Sequence, residues 1–184
     1  MEDDIAELFF SEAEIQNRVR EMGAKISEEY AGRPPVLVGV LRGVLFFMAD
    51  LLRAIDIPVT VDFMAISRYG PTAQMGGVVR LVKDLEEPIE GRHVLFVEDI
   101  VDTGLTLSYL LRNLRGRGPA SLEVCVLFDR PHHRLIDIDI AYTGFEIGDE
   151  FIVGYGLDYG QRYRNLPYVG ILKPEIYQRL RAKS

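Results

Sequence analysis

Three acids stand within five positions of one another, Glu98, Asp99 and Asp102, directly after the apolar run Val94-Leu95-Phe96-Val97. Carboxylates are hard oxygen donors, so the cluster suits Mg²⁺, which prefers oxygen ligands and usually arrives with a phosphate-bearing substrate. Thr103-Gly104-Leu105-Thr106 follows and leads into an apolar, helix-like run at residues 105–114. A small-residue turn into a helix N-terminus offers backbone N–H groups and a favourable dipole to a phosphate. The same residues also fit a plainer reading, with Glu98 and Asp99 as a solvated turn and Asp102 or Thr103 as a helix N-cap.

Other strand-like runs end in residues of similar character. Leu41-Arg42-Gly43 follows the run Val36-Leu37-Val38-Gly39-Val40, and Asp129-Arg130 follows residues 122–128. In an open parallel sheet the carboxyl ends of the strands share one edge, and ligands bind there. Arginines and acids at one edge suit a substrate that carries both phosphate and metal. Gly43 can let backbone approach an anion, with no restriction on φ; a helix-start glycine beside a surface arginine is the alternative. Neither a GxxxxGK[ST] loop nor a GxGxxG after a strand is present.

Around these residues the chain reads as alternating strands and helices. Residues 5–10 are apolar, and Ser11 with Glu14 forms a capping box for a helix carrying Ile15, Val19, Met22 and Ile26. Strand 36–40, helix 44–55 and strand 59–67 make a βαβ unit, which implies a parallel sheet with a right-handed crossover. Residues 68–77 are polar and rich in Gly and Pro, as in a mobile functional loop. Strand-like runs follow at 77–82, 94–97, 122–128, 136–142, 151–156 and 168–172, and Pro174 at N1 opens a terminal helix. The expected fold is α/β, a parallel sheet core flanked by helices. It forms one domain over residues 1–184, with a core at about 34–150 and a small hood from residues 1–15 and 151–184.

The 184 residues carry a net charge of -7, which argues against nonspecific binding to nucleic acid or anionic membranes. The single cysteine, Cys125, lies in an apolar run and reads as a small buried hydrophobe. The acidic N-terminus is unlike a secretory signal, and no apolar run reaches the ~18 residues of a membrane span. A cytoplasmic setting is expected.

Val97-Glu98-Asp99-Ile100-Val101-Asp102-Thr103-Gly104 closely resembles the phosphoribosyl diphosphate (PRPP) signature of the phosphoribosyltransferases. Leu41-Arg42-Gly43, Ser67-Arg68-Tyr69-Gly70, Gly144-Phe145-Glu146-Ile147 and Tyr163-Arg164-Asn165-Leu166-Pro167-Tyr168 extend the likeness to the hypoxanthine-guanine branch. The run Phe151-Ile152-Val153-Gly154-Tyr155-Gly156-Leu157-Asp158-Tyr159 singles out the 6-oxopurine enzymes, and the resemblance covers residues 10–177. It implies a type I phosphoribosyltransferase fold and a role in purine salvage. The reaction would be Mg²⁺-dependent transfer of 5-phosphoribosyl from PRPP to N9 of hypoxanthine or guanine, giving IMP or GMP and diphosphate. A homodimer or homotetramer would be the working form.

The resemblance also implies roles. Glu98 and Asp99 would serve the ribose hydroxyls and the metal, with Asp158 a further metal ligand at the purine side. Asp102, Thr103, Gly104, Leu105, Thr106 and Leu107 would wrap the 5′-phosphate. Arg42 and Gly43, after a non-proline cis peptide, would meet diphosphate together with Arg164. Phe151 would stack on the purine, and the Ile152 backbone would bond its edge. Ser67, Arg68 and Tyr69 would begin a loop that closes over the site. Asp102 would be the general acid or base at purine N7.

One position departs from the family pattern. Arg130 stands where a lysine usually donates to purine O6, and Asp129 beside it is expected to hold the guanidinium. Rejection of adenine should persist, while the balance among hypoxanthine, guanine and xanthine is open. His132 and His133 read as solvent-facing loop residues. Two competing readings share PRPP binding: a PRPP-sensing regulator, which needs a nucleic-acid-binding module that this acidic chain lacks, and an enzyme for another base, against which stand residues 151–158.

Overall fold

The computed structural model describes residues 1–69 and 78–181. The chain opens with β1 (Ile5–Phe10) and α1 (Glu12–Glu29), then β2 (Val36–Leu41), α2 (Leu45–Ala54), β3 (Thr60–Tyr69) and β4 (Val78–Lys83). It continues through β5 (His93–Val101), α3 (Leu105–Arg115), β6 (Ser121–Asp129), β7 (Tyr142–Glu146), β8 (Ile152–Val153), β9 (Val169–Leu172) and α4 (Pro174–Arg181). The expected capping box starts α1: Glu14 N–H donates to Ser11 Oγ at 3.3 Å, and Ser11 N–H donates to the Glu14 carboxylate at 2.8 Å.

The apolar runs form strands because both of their faces are covered. Leu37, Leu95, Val97 and Cys125 point into one core layer with residues of α1 and α2, such as Ile15 and Phe47. Their neighbours Val38, Phe96, Val124 and Val126 point into the other, where α3 supplies Leu107, Leu110 and Leu114.

The main sheet has the order β4-β3-β2-β5-β6-β7. From β2 the chain moves outward to β3 and β4, then returns to the other side of β2 for β5, β6 and β7. The order therefore reverses between β2 and β5, which is where an α/β sheet opens a ligand crevice. The ladder agrees. β2 pairs with β5 only as far as Gly39↔Val97, whereas β5 stays paired with β6 to Val101↔Asp129. Past Val97, the carboxyl ends of β2 and β5 part company.

Three expectations change. The sheet is mixed, because β4 runs antiparallel to β3 at the edge, with Ser67↔Arg80, Arg68↔Val79 and Tyr69↔Val78 in register. Ser67, Arg68 and Tyr69 thus complete β3 rather than begin a loop, and residues 70–77 lie outside the described residues. Of residues 136–142, only Tyr142 lies in a strand, at the start of β7. Ile138 and Ile140 do turn inward against the α3 side of the core, so the alternation is real. Strand pairing with β6 begins only at Cys125↔Tyr142, because the preceding stretch packs over the turn before α3 instead.

A second sheet, order β1-β9-β8 and antiparallel throughout, joins the two ends of the chain. Phe10 anchors it to the main sheet by stacking on Phe128 (centroids 5.6 Å apart) and lying 4.3 Å from Phe145. Phe128 is at the carboxyl end of β6, so the small sheet sits by the edge where the acids are. No described helix is long and apolar enough to cross a membrane.

Leu95 is fully buried in the middle of the central strand. Leu95→Ala is expected to cost about 2–5 kcal/mol, the range for truncating a core leucine, measured by urea unfolding.

Candidate active site

Glu98 and Asp99 lie within β5, which runs on to Val101, and Asp102 follows directly after it. With β2 gone from their side, Glu98, Asp99 and Asp102 line an open cavity of about 860 Å³ together with Arg42, Gly43 and residues of the turn before α3. A smaller cavity of about 260 Å³ adjoins it, lined by Arg130, Phe151, Ile152 and Leu157. Asp99, Ile100, Asp158 and Arg164 line both, so the two spaces share a wall.

The floor of the large cavity is set by a close fit. The Leu41–Arg42 peptide is cis. Gly43 follows, and a Cβ there would overlap Asp99 Oδ2. Gly43 is therefore needed for space, and the anion that approaches it is the protein's own carboxylate. Gly156, at φ +99, turns its bare Cα against the carbonyl oxygen of Gly43, where a side chain would also collide. The cis-peptide turn, the central acid and the segment after β8 meet at this point.

Asp99 is 9% exposed. Its carboxyl is pushed up to about 6, chiefly by burial and also by the charge of Asp158. The backbone N–H groups of Ile100 and Asp99 and the Arg164 guanidinium oppose the shift. Asp158 gives both oxygens to neighbours: Oδ1 accepts from Arg164 Nη2 at 2.6 Å and Oδ2 from Gln161 N–H at 2.8 Å. Arg164 also donates to Gly156 O at 2.7 Å. Gln161 Oε1 accepts from Arg42 Nη1 at 3.0 Å and from Arg164 Nη2 at 3.4 Å. Arg42 and Arg164 are thus bridged across the cavity mouth by Gln161, a residue absent from the sequence-based set. Its backbone is left-handed, φ 66, which no side-chain type announces.

Gly104 has φ +80 and caps α3 with no side chain of its own, while the Leu105 N–H reaches Thr103 Oγ1 at 3.5 Å. A Cβ on Gly104 would crowd Ile138 and Arg134, and Leu135 N–H donates to Thr103 O at 3.0 Å. The turn is held from behind and its helix N-terminus is presented to the cavity.

Arg130 differs from expectation in its tether. Asp129 pairs with Arg134, not with Arg130. Arg130 instead donates from Nε to Gly148 O (2.7 Å) and from Nη2 to Glu150 O (2.6 Å), leaving Nη1 3.8 Å from Asp102. Phe151 is 37% exposed, with Tyr177 stacked at 4.9 Å. His132 is exposed, whereas His133 is only partly so and bridges Asp102 and Asp149. Cys125 is buried, as expected.

Among the described residues no three His, Cys, Asp or Glu side chains converge on one point. Mg²⁺ does not require such a cage, since it binds through one or two carboxylates, waters and substrate phosphates. Two carboxylates on the shared wall, Asp99 and Asp158, form an all-oxygen set that fits it.

A crevice at the switch point, acids along its wall and a helix N-terminus beside it suit a phosphorylated ligand and its metal. Residues 11–160 match the family model described as "Phosphoribosyl transferase domain". The chain belongs to the phosphoribosyltransferase family. A hypoxanthine-guanine phosphoribosyltransferase from Bacillus subtilis is 48% identical over 178 residues, covering 97% of this chain and 99% of that protein. One from Streptococcus agalactiae is 50% identical over 179 residues, with the same coverage of 97% and 99%. The crystal structure of a hypoxanthine phosphoribosyltransferase from Staphylococcus aureus superposes with a TM-score of 0.92 at 45% identity, covering 96% of each chain.

Asp99 yields a pH prediction. An ordinary aspartate titrates near ~3.9, so the folded protein keeps a proton that the unfolded chain releases between pH about 4 and about 6. Stability from this group is full below that window. It falls as pH rises across it, by roughly 3 kcal/mol in all. Urea denaturation of metal-free protein at a series of pH values should show this fall, and Asp99→Asn should remove it.

Proposed function

We propose that the protein transfers 5-phosphoribosyl from PRPP to N9 of hypoxanthine or guanine, releasing diphosphate. The observation that carries this reading is the pair of cavities sharing a wall of Asp99, Ile100, Asp158 and Arg164. The larger has the charges a sugar diphosphate needs. The smaller has the aromatic and apolar lining and the cation, Arg130, that suit an oxopurine.

Each residue then has a task. The turn from Asp102 to Leu107, with the hydroxyls of Thr103 and Thr106, holds the 5′-phosphate at the start of α3. Glu98 lines only the larger cavity and is assigned the ribose hydroxyls, with Asp99 deeper beside it. Arg42, the Gly43 backbone and Arg164 receive the leaving diphosphate as charge-assisted donors. Arg164 has five N–H donors and can keep Asp158 and Gly156 while it does so. Asp99 and Asp158 would hold Mg²⁺, with Glu98 lining the same cavity, and the ion would supply charge neutralisation to the diphosphate.

In the smaller cavity Phe151 stacks on the purine and the Ile152 backbone bonds its edge. Nε and one Nη2 hydrogen of Arg130 are committed to Gly148 and Glu150, so the tether leaves the Nη1 end of the guanidinium to meet O6. A guanidinium held in this way still brings a charged donor to the base, as a lysine would. Adenine, which brings a donor to the same place, leaves both groups unpaired. Asp102 takes or shares the N7 proton as N9 attacks.

The whole chain acts as one domain, with the small sheet as a hood over the crevice. A homo-oligomer, dimer or tetramer, would cover the exposed Leu45 and Phe46 of α2.

Initial rates with four bases under one set of conditions test the assignment. Hypoxanthine and guanine should both react, and adenine should be at least about 10²-fold slower in kcat/KM. No nucleotide from hypoxanthine with saturating Mg²⁺ and PRPP would sink the reading. Asp102→Asn should lower kcat by about 10²-fold or more, as loss of a general base does.

A further inference from the structure

His133 ends the short 3-10 turn Pro131–His133 that follows β6. Each of its ring nitrogens meets a carboxylate: Nδ1 lies 2.8 Å from Asp102 Oδ1, and Nε2 lies 2.8 Å from Asp149 Oδ1. An ionised carboxylate only accepts hydrogen bonds, so both contacts are satisfied together only when both ring nitrogens carry hydrogen. The ring thus joins the turn that starts with Asp102 to the segment that leads into Phe151 and Ile152. The backbone around it is fixed on its own account. His133 N–H donates to Arg130 O at 3.2 Å, and Leu135 N–H donates to Thr103 O at 3.0 Å.

Asp102 has little else to orient it. Its side chain is 48% exposed, and the nearest other charge, Arg130 Nη1, is 3.8 Å away from the same oxygen. An exposed carboxylate samples several rotamers. A group that exchanges a proton with a bound base must instead sit within hydrogen-bond reach of one atom. With Oδ1 engaged by His133, Oδ2 is the oxygen left for the substrate.

We propose that His133 is a positioning residue: it clamps Oδ1 of Asp102, with Asp149 steadying the far side of the ring, so that Oδ2 faces purine N7. The proposal rests on the reading of Asp102 as the acid/base group. His133 itself lines neither cavity.

Two near-isosteric variants separate the two ring nitrogens. In His133→Asn an amide nitrogen takes the place of Nδ1 and can still donate to Asp102. In His133→Gln the amide lies near the position of Nε2, toward Asp149. The measurement is kcat and the KM for PRPP in wild type, both single variants, Asp102→Asn, and Asp102→Asn combined with His133→Gln. His133→Gln should lower kcat about ten- to a hundredfold, the scale of a misplaced catalytic group, with KM for PRPP within about twofold of wild type. His133→Asn should stay within about threefold of the wild-type kcat, on the same scale of positioning effects. In the Asp102→Asn background His133→Gln should cost nothing more, because the group it orients is gone.

The positioning role is overturned if His133→Gln keeps the wild-type kcat, or if its loss persists undiminished in the Asp102→Asn background. It is also overturned if His133→Asn loses as much as His133→Gln. A wild-type kcat in Asp102→Asn alone would remove the acid/base reading beneath the proposal, and both would fall together.

Discussion

One carboxylate, buried where the two central strands separate, organises this molecule. Asp99 sits on β5 beyond the last residue paired with β2, and it fits only because Gly43 has no side chain. Gly43 lies next to the cis peptide before Arg42, and its carbonyl oxygen meets the bare Cα of Gly156. Burying an acid is costly, and its carboxyl is pushed up to about 6, with the Arg164 guanidinium opposing only part of the shift. The fold tolerates that cost at the spot where a metal-bound substrate would relieve it.

The rest of the site follows from the topology. Reversal of strand order between β2 and β5 opens the crevice, and the strand ends supply charge from both sides. The segment after β8 crosses the mouth, carrying Asp158, Gln161 and Arg164. Asp99 and Asp158 stand in the wall common to both cavities. In the proposed reading the turn before α3 takes the phosphate, and Arg42 and Arg164 take the diphosphate.

Much of this was legible in the chain. Strands covered on both faces read as unbroken apolar runs, so β2, β5 and β6 stood out, as did the acids and the phosphate turn beside them. The resemblance of residues 97–104 and 151–159 to the 6-oxopurine transferases named the partners of that turn. What stayed hidden depends on distant pairings. Nothing local says that β5 continues through its acids, since that extension is held by β6 alone. Residues 136–141 alternate as a strand does, yet Ile136 and Ile138 close over Gly104 instead of joining a ladder. The antiparallel return of β4, the left-handed Gln161 between two arginines, and the His133 bridge all arise from contacts across the fold. Spacing from Gly144 led to Arg130, but not to its tether, because backbone carbonyls at residues 148 and 150 leave no mark in the sequence.

The space that Gly43 leaves for Asp99 is the feature on which the geometry of the site rests most heavily. Calorimetric binding of PRPP in the presence of Mg²⁺, wild type against Gly43→Ala, tests it directly. A methyl group there must push the Asp99 carboxylate out of its notch, so the variant should remain folded and bind at least about tenfold more weakly, a loss of about 1.4 kcal/mol or more. Equal affinity in the two proteins would contradict the central role of the Gly43–Asp99 fit.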